Sequence, residues 1–462
     1  MYHIFPYRKT KLSRNLIISP IGEYAFCGDA DLHSLETNSP LPPDLYCELK
    51  TKHFLCDENH IADEDTIISI RQQTRNGYLE PVSMLLMIVP TIECNCECIY
   101  CQASSKKRRS RYYNMTFRTA YAFCKFALSL PHKDIKIEFQ GGEPTLHMEI
   151  TQFIVRFIEK HKQERGKTFS YVICTNLLQF HPDFVSFISK YQIDISTSLD
   201  GDKELHERNR PSHLYHSTYD TFVNNLAKLR DHGVFPSALL TVTRFNIDQI
   251  ERVIDAYINL GFKSIFIRQL NNYGYAYHNM DIQYTNDDFM SCYARGIQYI
   301  LKQNLEYGYA LREEWLAILL KKVMTPFLVG FVDLQNPTAL ARMCLLVNHD
   351  GHIYPSDEAR MIAEMGDSRF LLGDLRERIP YKAMIQRSSD FARLHSLNEI
   401  AQCIECPYQN YCGADPVRSY YVTQKTGESF CGKRRAMFDF LFSLLENANE
   451  SQLRLFRSWA ND

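Results

Sequence analysis

The run Cys94-Asn-Cys-Glu-Cys98-Ile-Tyr-Cys101 constrains this chain more than any other feature. It follows an apolar stretch at 85–89, so the cysteines are expected on a loop leaving the carboxyl end of a strand. Cys94, Cys98 and Cys101 suffice to hold three irons of a cubane 4Fe–4S cluster, and the fourth iron is then left open to another ligand. With 15 cysteines in 462 residues, two further cysteines at fixed offsets from any start arise by chance with a probability of about 0.01. Cys96 stands outside this register.

A second motif follows one β/α unit later. Gly141-Gly-Glu-Pro144 comes after the strand-like 135–139. Its glycines allow close approach of the backbone to a ligand, and Glu143 supplies an acceptor for an ammonium group.

Strand-like segments at 85–89, 135–139, 171–174, 193–198, 238–243 and 264–268 alternate with helix-like ones at 117–130, 148–162, 183–190, 219–231 and 247–260. Such alternation predicts a parallel sheet with crossover helices, and ligands of such folds gather at the carboxyl ends of the strands. Hydrophobic content of 45%, charged content of 23% and a net charge of −2 describe an ordinary globular chain. They argue against a dedicated nucleic-acid binder. The basic run Lys106–Arg109 reads as a solvated loop. The amino terminus lacks the apolar core of a signal peptide, and no apolar stretch is long enough to cross a bilayer. Fifteen cysteines without an export signal lead to the expectation of a reducing cytoplasm.

Near the carboxyl terminus Cys403, Cys406, Cys412 and Cys431 provide four thiols, enough to close a metal site. An auxiliary 4Fe–4S cluster is expected. Zinc is the alternative, although the usual paired half-sites are missing. Cys124 and Cys174 read as small core residues.

The CxxxCxxC register with Tyr100 before its last cysteine, joined to Gly141-Gly-Glu-Pro144, resembles the radical S-adenosylmethionine (radical SAM) enzymes. The resemblance implies a partial (β/α)6 barrel. It also implies a SAM-binding 4Fe–4S cluster on Cys94, Cys98 and Cys101, with Gly141, Gly142 and Glu143 at the amino group of SAM. Asn176, Ser198 and Arg210 would surround its ribose and carboxylate. Read from the residues alone, Asn176 equally shapes a turn, and Arg210 equally pairs with a carboxylate. The C-x2-C-x5-C spacing resembles the SPASM extension of peptide-modifying members. A full SPASM domain has seven cysteines and two auxiliary clusters, but Ser356 and Pro416 stand here where cysteines are usual, leaving Cys344 alone. One auxiliary cluster is therefore expected, on Cys403, Cys406, Cys412 and Cys431. Asp357 matches the general base of the sulfatase-maturing relatives, the alternative type.

Strings such as Lys136-Ile-Glu-Phe-Gln-Gly-Gly-Glu-Pro144, Val332-Asp-Leu-Gln335 and Ser356-Asp-Glu-Ala-Arg360 resemble more narrowly the His-Xaa-Ser system maturases, the HxsB group. That likeness implies an enzyme that cleaves SAM reductively and modifies a small ribosomal precursor peptide by hydrogen abstraction. Its electron donor would be a flavodoxin or ferredoxin, with no nucleic acid or membrane as partner. A non-enzymatic zinc scaffold is the reading from another class. The expected architecture is α/β, with four parts. Residues 1–80 form a small winged-helix-like α+β domain, either a peptide-recognition element or an extension packed on the barrel. Residues 81–310 form the radical SAM barrel, 311–340 a linker, and 341–462 the cysteine-rich SPASM-like extension.

Overall fold

The computed structural model describes residues 2–75, 83–107, 110–326, 329–336, 338, 340–377, 379–393, 400–413, 415–422 and 430–461. Arg108 and Arg109 of the basic run, and residues 76–80 at the end of the expected amino-terminal domain, lie outside the described residues. The chain divides into two compact units. The first joins residues 1–80, 316–339 and 391–462; the second joins 81–315 and 340–390.

The second unit is built on a ten-stranded sheet. Six strands follow one another across it in chain order: Ser83–Thr91, Asp134–Gly141, Thr168–Cys174, Asp194–Ser198, Ser237–Thr241 and Ser264–Arg268. All pair in parallel, as the β/α rhythm requires. Ser83–Thr91 is buried along nearly its whole length, which is why it reads as a continuous apolar run; central parallel strands are covered on both faces. Two of the crossover helices begin at side-chain caps. Thr116 Oγ1 accepts from Thr119 N–H at 3.1 Å before Phe117–Ser129, and Ser217 Oγ accepts from Asp220 N–H at 2.9 Å before Thr218–Asp231.

The sheet continues beyond the six strands at both edges. Arg312–Glu313 pairs in parallel with Ser264–Arg268. On the other side Cys344–Val347 pairs in parallel with Ser83–Thr91, setting Cys344 opposite Leu85. His352–Tyr354 and Gly373–Asp374 then add antiparallel. Cys344 is thus a buried strand residue of the second unit.

In the first unit Arg8–Lys11, Asn15–Ile18 and Tyr24–Cys27 form an antiparallel three-stranded sheet. Tyr2–Ile4 pairs with Leu55–Asp57, and the helices Asp29–Glu36 and Pro43–Thr51 complete the layer. Leu16, Ile17, Leu35, Leu49, Phe54 and Leu55 are fully buried. The carboxyl-terminal residues of this unit grip the same sheet. Tyr411 Oη donates to Gly22 O at 2.8 Å, Asn410 Nδ2 to Ser19 O at 2.7 Å, and Arg8 Nε to Ile404 O at 2.5 Å. Tyr24 meets Phe442 edge-on, their ring centroids 5.2 Å apart.

Gly413 follows Cys412 where two backbones touch: a Cβ there would lie 1.8 Å from Asp333 O. Gly413→Ala forces one strand of chain off the other. It is expected to cost the first unit about 1–3 kcal/mol, the usual range for overpacking, read as a lowered denaturation midpoint.

His206 gives the second unit a pH dependence. Its Nδ1 accepts from Asp200 N–H at 3.4 Å and its ring packs on Phe222. Burial, with the Arg210 charge adding, pushes its pKa down to about 3. The unfolded chain takes up a proton near the ordinary value of about 6.5 while the folded one does not, so this contribution is complete above that value and is lost as pH falls. Lowering the pH from about 7 to 5 is expected to remove about 2 kcal/mol through His206. Urea unfolding of the wild type and His206→Gln at the two values checks this; the variant loses that slope.

Candidate functional site

A cavity of about 350 Å³ opens at the carboxyl ends of the barrel strands. Cys94, Cys98 and Cys101 line it from the loop after the first strand, Gly141, Gly142 and Glu143 from the end of the second, and Asn176 from beyond the third. Ser198, Arg210 and Asp357 complete its wall. Ten residues singled out along the sequence, from 94 to 357, therefore meet in one place.

The cysteine loop is fixed by backbone bonds. Lys106 N–H donates to Ile92 O at 2.7 Å and Cys94 N–H to Lys106 O at 3.0 Å. Gly142 N–H donates to Thr91 O at 2.9 Å and Glu143 N–H to Glu93 O at 2.8 Å, so the Gly-Gly-Glu turn is sewn directly onto the strand that enters the loop. The glycines serve this joint. A Cβ on Gly141 (φ +131°) would sit 2.3 Å from Thr91 O, and one on Gly142 2.0 Å from Glu93 O. Here the close approach is between two stretches of backbone.

Glu143 is 1% exposed. Its Oε1 accepts from Thr145 N–H at 3.0 Å and Thr145 Oγ1 at 2.6 Å, its Oε2 from Asn176 N–H at 2.7 Å. Burial raises its pKa, opposed by these same bonds. Asn176 Nδ2 donates to Asn95 Oδ1 at 2.8 Å and lies 3.8 Å from Cys94 Sγ. Asn176 thus links the turn after the third strand to the cysteine loop.

The three thiols crowd one another. Burial pushes Cys94 well up, and Cys98, Glu143 and Cys101 push it further. Burial likewise raises Cys101, with Cys98 adding. Cys98 is drawn down by the neighbouring Cys96 thiol, against burial and with help from Arg210. Cys96 lies 3.5 Å from Cys98, sulfur to sulfur, and is buried against Arg210 O and Pro211 O. Among the described residues no three His, Cys, Asp or Glu side chains stand in single-ion geometry. The fit of Cys94, Cys98 and Cys101 to an iron–sulfur cluster lies in their donor chemistry, soft thiols alone, and in the room before them.

Arg210 pairs with a buried carboxylate: its Nε donates to Asp200 Oδ2 at 2.9 Å. Asp357 opens the helix Asp357–Glu364, its Oδ1 receiving Arg360 Nε and Nη2, both at 3.3 Å. Arg360 is 1% exposed and lines the cavity. Sequence reading missed Glu138, Gln140, Asp200 and Arg360, and it misplaced Cys174. Cys124 is fully buried, but Cys174 faces the cavity at the end of its strand, beside Glu138. Burial and the Asp357 charge raise Glu138. The missed signal is the period of two: Glu138 and Gln140 are the alternate residues that turn inward as the strand ends.

The second cysteine set lies in the first unit. Cys403 is raised by burial, by Cys431 and by Cys406. Burial pushes Cys412 up to about 11, with Arg434 and Lys322 opposing and Cys406 and Cys403 adding. The four thiols therefore share one neighbourhood, and their donor set fits either a cluster or zinc. Ser356 and Pro416 have duties of their own. Ser356 Oγ accepts from Ala359 N–H at 3.3 Å as a helix cap. Pro416 is the first residue of the helix Pro416–Tyr421, capped by Asp415, whose Oδ1 accepts from Arg418 N–H at 2.9 Å.

Among the described residues no helix is long and apolar enough to cross a membrane. Residues 88–257 match the Radical SAM superfamily. An uncharacterised protein of Methanocaldococcus jannaschii is 29% identical over 181 residues, 39% of this chain and 60% of its own. The cysteine-type anaerobic sulfatase-maturating enzyme of Clostridium novyi is 23% identical over 186 residues, 39% of this chain and 50% of its own. The chain thus spans only about half to two thirds of the length of these curated relatives. Among solved structures, native anSMEcpe with bound AdoMet superposes with a TM-score of 0.64 at 18% identity, over 79% of this chain and 98% of that one. Streptococcus suis SuiB bound to precursor peptide SuiA gives 0.52 at 14% identity, over 92% and 97%. The second unit therefore carries a radical SAM domain, with the central parallel sheet of that fold.

Proposed function

We propose that this chain is a radical SAM enzyme that modifies a small ribosomal precursor peptide. One observation carries the reading: Cys94, Cys98 and Cys101 share a single cavity with Gly141, Gly142, Glu143, Asn176, Ser198 and Arg210. When bound there, a reduced 4Fe–4S cluster and SAM supply a 5′-deoxyadenosyl radical able to abstract hydrogen from an unactivated C–H bond. The protein's share is to hold and orient. Cys94, Cys98 and Cys101 ligate the cluster. The turn at Gly141–Glu143 and the side chains of Asn176 and Ser198 form the wall for SAM. Asp357, beside Glu138 in the same cavity, is the proton acceptor for the substrate. Cys403, Cys406, Cys412 and Cys431 would hold an auxiliary 4Fe–4S cluster, which would supply a one-electron acceptor.

A peptide substrate is supported by the likeness to SuiB, whose solved form holds precursor peptide SuiA. Among the described residues the strand Arg8–Lys11 stands at the edge of the amino-terminal sheet, a position to which peptides add as a further strand. The finer reading is a peptide of the His-Xaa-Ser type, with flavodoxin or ferredoxin as electron donor, in the cytoplasm. The second reading, a sulfatase-type maturase acting on a protein, is favoured by the Clostridium relative and by Asp357 in the cavity.

Anaerobically reconstituted protein given SAM and dithionite is expected to release 5′-deoxyadenosine, and the Cys94/Cys98/Cys101→Ala variant none. Cys403→Ala/Cys406→Ala is expected to bind about half as much iron and still release the nucleoside, while forming no modified peptide. Iron-filled protein that yields no nucleoside with precursor or sulfatase peptides rules the reading out. Zinc in place of iron at both cysteine sets instead supports a scaffold.

A further inference from the structure

A buried ion pair stands behind the first cysteine set. Asp200 is 0% exposed and Arg210 7%. Asp200 Oδ2 accepts from Arg210 Nε at 2.9 Å and from Tyr100 Oη at 2.5 Å, while its Oδ1 accepts from Thr241 N–H at 3.1 Å. Its backbone carbonyl receives Asn246 Nδ2 at 3.3 Å. The far end of the guanidinium reaches the cysteine loop: Arg210 Nη1 lies 3.7 Å from Cys98 Sγ. Its central carbon stands 5.3 Å from the centre of the Tyr100 ring.

Burying such a pair is a poor route to stability. Desolvation of the two charges offsets most of their attraction, and an apolar pair of equal volume does as well or better. What the pair does achieve is direction. Asp200 is fixed from three sides, so the planar fork it holds can only present its other face to Cys98. A cation held against a ligand sulfur in a dry site favours the more negative of two redox states.

We propose that Asp200 and Tyr100 are positioning residues that hold the Arg210 guanidinium against the Cys98 sulfur, and that Arg210 thereby raises the reduction potential of the cluster on Cys94, Cys98 and Cys101. The inference rests on the reading of that set as the SAM cluster site. It gives Arg210 a role toward Cys98 that needs no contact with SAM. Tyr100 becomes more than an aromatic filler between two ligands.

The test is an EPR-monitored redox titration of the reconstituted full chain, following the signal that changes when SAM is added. Arg210→Gln removes the cation, and its midpoint potential is expected to shift negative. Asp200→Asn removes the balancing anion but keeps an amide oxygen to accept from Arg210 Nε, and its potential is expected to shift positive. Tyr100→Phe keeps the ring and its packing but takes a hydrogen bond from Asp200; its field strengthens, and a smaller negative shift is expected. The double variant Asp200→Asn/Arg210→Gln is expected near the wild-type value. A loop merely loosened by mutation would move all of these the same way. Shifts of one sign throughout, or none, overturn the proposal. If either single charge variant fails to fold, Tyr100→Phe and the double variant decide by the same signs. A wild-type protein with no SAM-responsive signal overturns the reading of the site itself.

Discussion

The joint between the first two barrel strands is the constraint on which the site depends. Thr91 O and Glu93 O take the backbone N–H groups of Gly142 and Glu143, and no residue with a Cβ fits at either glycine without moving backbone. Everything toward the cavity hangs from this seam. Glu93 continues it: its Oε1 accepts from Ser110 N–H at 2.6 Å and Asn114 Nδ2 at 3.3 Å, holding the return limb of the cysteine loop. Loops of this length are usually the least ordered part of a β/α unit. Here the loop is tied to two strands by main-chain bonds, so the three thiols are presented from a rigid frame. Rigidity matters because a site for radical chemistry works by fixing where reactive atoms meet.

Much of the barrel was legible in the sequence because it is encoded locally. Each strand is a short apolar run closed by polar or glycine residues, and each crossover helix is an amphipathic segment, two of them after a Thr or Ser cap. The motif cysteines and Gly141–Glu143 were legible for the same reason: each set sits within eight residues or fewer. Non-local facts were hidden. Cys344–Val347 is only four residues long and pairs with a strand some 250 residues earlier; nothing in its own composition names that partner. The same holds for the grip of Tyr411 and Asn410 on the Ser19–Gly22 turn, which makes one body of the chain's two ends.

Asp200 shows a third kind of invisibility. It stands in Ser196-Thr-Ser-Leu-Asp-Gly201 just before a glycine of φ +132°, and an Asp-Gly pair after a strand reads as turn chemistry. Burial alone changes its meaning. Taken out of water, the carboxylate must be fully bonded, and the partners it finds, Arg210 and Tyr100, belong to the site. Cys174 was misread by the same logic in reverse. A cysteine at a strand's end is ordinarily a small apolar filler, but this strand ends where the barrel opens.

The two cysteine sets place the same donor type in contrasting fields. Around the first set the charged neighbours among the described residues include two acids, Glu143 beside Cys94 and Asp200 behind Cys98, and the cation Arg210 at Cys98. Around the second the cations dominate: Arg435 and Arg8 face Cys406, and Arg434 and Lys322 face Cys412. Burial opposes thiolate charge at Cys94, Cys101, Cys403, Cys406 and Cys412, so the neighbours decide how much negative charge each set tolerates. In the first set burial holds the Cys94 and Cys101 thiols up, while Cys98, beside Cys96 and facing the directed Arg210 cation, is drawn down. The second is cushioned on several sides and accommodates added negative charge more readily. The field of fixed charges is the lever a protein has over a thiolate-bound centre, and it differs between the two sets. That contrast follows from side chains far apart in sequence. It makes Arg210, the cation held against Cys98, a residue whose orientation carries electrostatic consequence.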